Sequence, residues 1–72
     1  MKAYQLIKSF SSRRDGLLTI KEVALLLSKL DRAKVTQAAV KALVKTGRLR
    51  PTDILNSTYV APLDIAEYLR TR

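Results

Sequence analysis

Between Leu17 and Leu69 the spacing of apolar residues changes twice, and those changes limit the folds open to the chain. Ile20, Val23, Ala24, Leu27 and Leu30 recur every three or four residues, which puts them on one face of an α-helix. The same period returns over Val35, Ala39, Val40, Leu43 and Val44. After Gly47 it falls to two: Leu49 stands between Arg48 and Arg50, and Thr58-Tyr59-Val60 is β-prone. From Pro62 helical spacing resumes in Leu63, Ala66 and Leu69, with Ile65 and Tyr68 beside them to fold back on the core. Ala3, Leu6, Ile7 and Phe10 add an amphipathic helix over the first ten residues. The order is therefore helix, helix, helix, short β-ribbon, helix.

Local signals mark the ends of these elements. Ser11 to Gly16 breaks the first helix, because serines compete for backbone hydrogen bonds and Asp15-Gly16 favours a turn. Thr19 and Glu22 have the spacing of a capping box, and Leu18 and Val23 that of its hydrophobic staple. Leu25 and Leu26 widen the second helix's apolar face, which predicts burial on more than one side, between the first and third helices. The third helix has two good N-caps, Asp31 and Thr36, and Gly47 supplies its left-handed end. Pro62 fits the first turn of the last helix. The expectation is one mainly α domain over 1–72 with a small two-stranded β-ribbon. It divides into an N-terminal helix and turn (1–16), a helical pair (17–47), a ribbon (48–61) with strands either side of a 51–57 turn, and a closing helix (62–72).

What the chain lacks narrows its chemistry. Its 72 residues contain no Cys and no His, so thiolate and imidazole chemistry and the commonest metal ligands are absent. The six carboxylates, Asp15, Glu22, Asp31, Asp53, Asp64 and Glu67, show no catalytic spacing. Neither an enzyme, a metal nor a cofactor is expected. Fourteen Lys and Arg give a formal charge of +8, which favours a polyanionic partner. No apolar run approaches the ~20 residues of a membrane span, and the stretch before Leu17 is too polar for a signal peptide. A cytoplasmic, nucleoid-associated protein without a membrane role is expected; the first helix offers a membrane surface only Lys2 and Lys8.

Lys34, Gln37, Ala38, Lys41 and Lys45 fall on the face of the third helix opposite Val35, Ala39 and Leu43. Lys donates to guanine, Gln pairs with adenine and Ala meets a thymine methyl, so this face suits a DNA major groove. It equally fits the solvated face of a surface helix. Arg48 and Arg50 point to one side of a strand while Leu49 points to the core. With Thr36, Lys45, Asn56 and Ser57 they are candidate phosphate contacts, which position a protein without reading sequence. Arg13 and Arg14 are either an additional phosphate site or solubilising charge. Base reading falls to Lys34, Gln37, Ala38 and Lys41.

In this order the pieces resemble the excisionase/MerR-like winged helix-turn-helix proteins. The likeness lies in LTIKEVALLL (18–27), VTQAAVKALVKTGRL (35–49) and TYVAPLDIAEYL (58–69), about three-quarters of the chain. The SKLDRAK connection (28–34) is longer than the family's tight turn, and the simplest members lack the leading helix. The resemblance implies a winged helix-turn-helix that binds double-stranded DNA, as a transcription regulator or a recombination directionality factor. It also implies cooperative multimers on DNA and an integrase as partner. Two rival readings are a protein-interaction or oligomerisation module, for which the apolar surplus of Leu25, Leu26 and the first helix speaks, and RNA binding.

Overall fold

Four helices and a three-stranded antiparallel sheet make up the computed structural model, which describes residues 3–71. Met1, Lys2 and Arg72, assigned from sequence to the terminal helices, lie outside the described residues. The elements are α1 (Ala3–Ser9), β1 (Leu18–Thr19), α2 (Ile20–Asp31), α3 (Gln37–Lys45), β2 (Pro51–Ile54), β3 (Ser57–Val60) and α4 (Pro62–Thr71). Among the described residues no helix is long and apolar enough to cross a membrane.

The start of α2 follows the sequence closely. The Thr19 hydroxyl accepts from the Glu22 amide at 3.2 Å, and the Glu22 carboxylate accepts from the Thr19 amide at 2.9 Å. Leu18 and Val23, the two halves of the staple, are fully buried. Glu22 also accepts from the Ser12 amide at 3.1 Å, so one side chain caps α2 and ties down the preceding loop.

Leu18 and Thr19 do more than precede a helix. They pair with Val60 and Tyr59, so β3 lies between β1 and β2 and the sheet has three strands rather than two. A two-residue strand leaves no periodic trace in a sequence, which is why only its partner shows. The hairpin is also displaced from its expected limits. Its strands are 51–54 and 57–60, closed by Leu55 and Asn56, whereas Arg48-Leu49-Arg50 is the connection from α3. Leu49 is nonetheless buried, as the alternation required.

The core draws on every helix and on the sheet: Ile7, Leu18, Val23, Ala24, Leu26, Leu27, Val40, Leu49, Val60 and Ile65. Fully burying a side chain of this kind contributes roughly 1.5–3 kcal/mol. Three packing expectations are corrected. First, α1 packs chiefly on α4, while α2 packs on α3 and the sheet, so α2 is not sandwiched between α1 and α3. Second, Leu26 is buried but Leu25 is 55% exposed, because it projects from the side of α2 opposite Val23 and Leu27. Third, α4 buries Ile65 and leaves Leu63 at 70% exposure, reversing their expected ranks.

Candidate nucleic-acid interface

Among the described residues no polar or charged side chain is buried, so any chemistry of recognition takes place at the surface. Helix α3 carries two exposed lysines one turn apart, Lys41 and Lys45, and four devices fix its position. Thr36 is the N-cap, its hydroxyl accepting from the Ala39 amide at 3.2 Å. This settles the choice between the two caps: Asp31 instead ends α2, with Arg32 left-handed after it at φ 52°. Ser28 clamps the connection, donating to the Ala24 carbonyl at 2.7 Å and accepting from the Val35 amide at 2.8 Å. Val40, fully buried, anchors the helix. At the far end Gly47 takes φ 85°, and the Gly47 and Arg48 amides donate to the Val44 and Leu43 carbonyls, closing the helix as a Schellman motif.

Anchoring through Val40 decides what faces outward. Gln37, Ala38, Lys41 and Lys45 are exposed, as the helical spacing requires. Ala39, expected on the packed side, is exposed as well, and the buried seam is Val40 with the partly buried Leu43 and Val44. Ala38, Ala39 and Ala42 therefore leave much of the outer surface of α3 low, with Lys41 and Lys45 rising along one flank. Lys34 is exposed but sits in the connection before Thr36, one turn short of the helix it was expected to extend.

Lys41 and Lys45 form one wall of a groove whose other wall is Thr58 of β3 and whose lining includes Ile20 and Val44. No local signal in the sequence assigns Ile20, Val44 or Thr58 to a site, because nothing local announces that β3 comes beside α3. Neither lysine has an ion-pair partner among the described residues, so both charges are available. Across the groove Thr58 donates to the Asp53 carboxylate at 3.0 Å. Asp53 is the hairpin's one charged residue: Pro51 to Val60 contains no Lys or Arg.

Arg48 and Arg50 lie elsewhere. They border a second depression with Gly47 and with Leu63, Asp64 and Glu67 of α4, so carboxylates share their surroundings. The expectation of a basic ribbon is corrected accordingly: its cations precede β2, and the paired strands carry none. Asn56 and Ser57 are exposed at the hairpin end, where the sequence put them. Arg13 is engaged internally. Its guanidinium chelates Asp15, at 3.1 Å from Nε and 2.9 Å from Nη2, and stacks 4.5 Å from the Tyr59 ring centroid. The hydrogen bonds from Arg13, with one from the Leu17 amide, hold the Asp15 carboxyl below its ordinary range. Tyr59 thus secures the sheet to the α1–β1 loop. Arg14 is exposed and without an ion pair among the described residues.

No protein-family model, curated protein or solved structure matches this chain. The functional reading therefore rests on sequence and geometry.

Proposed function

We propose that this protein binds double-stranded DNA without catalysis, as a winged helix-turn-helix. In this reading α2 and α3 are the helix-turn-helix, α3 enters the major groove, and the β2–β3 hairpin is the wing. The observation that carries it is the groove in which Lys41 and Lys45, without ion pairs among the described residues, face Thr58 over an apolar lining. A phosphate backbone passing there would receive two cations, the Thr58 hydroxyl being engaged by Asp53. Beside it, Gln37 and the low Ala38 surface are free to meet base edges. The exposed cations and the net charge of +8 supply the long-range attraction. The likeness of three segments to excisionase/MerR-like proteins supports the same reading. It favours a small transcription regulator or a recombination directionality factor, acting by occupancy alongside an integrase or further copies of itself.

In this reading the proposed contacts carry unequal weight. Lys41 and Lys45 become the main phosphate ligands, with Gln37, Ala38 and Lys34 toward the bases. Arg48 and Arg50, beside Asp64 and Glu67, contribute less, and Arg13 is structural. Fluorescence anisotropy with labelled duplex DNA over a salt series tests the proposal. The expected result is binding to duplex in preference to RNA, with log K falling steeply against log salt. Salt-independent or undetectable binding refutes it. Exposed Leu25 and Leu63 favour a second reading, a protein-docking module, to which undetectable DNA binding would point.

A further inference from the structure

Leu55 is the most exposed large apolar residue described, at 96%, and it occupies the first central position of the turn joining β2 to β3. Its backbone is left-handed, at φ 55°. Turn chemistry prefers Gly, Asn or Asp at such a position, and water prefers a polar side chain. Leucine satisfies neither preference. A residue that breaks two local rules together marks a position selected for something other than the stability of the isolated fold.

The surroundings of Leu55 indicate what it meets. It lies about 7 Å beyond the Asp53–Thr58 pair, two residues at ~3.3 Å each, at the free end of the hairpin that walls the Lys41/Lys45 groove. The hairpin has no cation of its own and one carboxylate, so it cannot hold a polyanion by charge. With α3 in the major groove and a phosphate strand at Lys41 and Lys45, a hairpin tip two residues past Thr58's partner Asp53 would be presented to the adjoining minor groove. That groove, about 6 Å wide, admits a side chain but not a pair of strands. Leu is among the side chains that enter there and part a base step, kinking the duplex toward the major groove.

We propose that Leu55 is an apolar wedge that inserts between base pairs from the minor groove and bends the DNA, an inference that rests on the DNA-binding reading above. Pyrimidine–purine steps unstack most easily and are its preferred targets. The test is energy transfer between dyes at the two ends of a short duplex, one carrying a central TA step and the other an uninterrupted A-tract, with anisotropy run in parallel. Leu55→Asn suits both the positive φ and the solvent, so it folds at least as well as the parent. The parent should bend the TA duplex more than the A-tract. Leu55→Asn should keep the salt dependence, bind roughly tenfold more weakly and lose most of the bend, whereas Leu55→Met should retain it. Equal bending by Leu55→Asn overturns the wedge. Binding by the parent without any bend overturns it while leaving DNA binding intact, and no binding at low salt removes both. Self-association of the parent that Leu55→Asn abolishes also overturns it, assigning the tip to a second copy of this chain.

Discussion

Replacing Lys41 and Lys45 together by glutamine tests the proposed site most directly. Each phosphate neutralised contributes about 0.9 to the slope of log K against log salt. Two lost contacts therefore reduce the slope's magnitude by roughly 1.8, and at ~0.1 M salt they weaken binding by roughly 60-fold, about 2.4 kcal/mol. At ~0.3 M the same slope leaves only a roughly ninefold loss. Glutamine preserves helix propensity, and both lysines are exposed without ion pairs among the described residues, so the fold should survive. The one stability cost is at Lys45, in the last turn of α3, where a cation complements the helix dipole by about 0.3–1 kcal/mol. Anisotropy titrations at several salt concentrations, beside a thermal melt by circular dichroism, measure both effects. Arg48→Gln/Arg50→Gln removes the same formal charge beside Asp64 and Glu67, and should change the slope by less than half as much. An unchanged slope in the Lys41/Lys45 variant, or equal effects in the two double variants, would refute the assignment of phosphate to the α3–β3 groove.

Other consequences concern the fold. Leu26→Ala empties a fully buried position and should cost about 2–5 kcal/mol in urea denaturation, much of the stability of a domain this small. Thr19→Ala removes the cap hydroxyl of α2 and should cost about 1 kcal/mol, lowering Tm by roughly 4–8 °C in a calorimetric scan. Asp15, whose carboxyl Arg13 holds below the ordinary 3.8, stabilises the fold in full above that pH. That contribution is lost as pH falls through the lower folded value. Asp15→Asn should therefore flatten the acid limb of the urea midpoint against pH below 3.8; an unaltered limb would show that the Arg13–Asp15 pair does not couple to folding.

What the sequence determined by itself was whatever depends on neighbours a few residues apart. The capping box at Thr19 and Glu22, the stop at Gly47, the start at Pro62 and the exposure of Gln37, Ala38, Lys41 and Lys45 all follow from local hydrogen bonding and the 3.6-residue period. Tertiary structure decided what depends on which element arrives from a distance. Leu18 and Thr19 become a strand because Val60 and Tyr59 come beside them, about forty residues away. Leu25 and Leu63 stay in water because α3 and the sheet cover other sides of α2, and α1 covers another side of α4. Arg48 and Arg50 read as a basic strand until pairing starts at Pro51 and leaves them beside α4. The groove of Lys41, Lys45 and Thr58 exists in no segment of the sequence, because its two walls belong to a helix and a hairpin that only packing brings together.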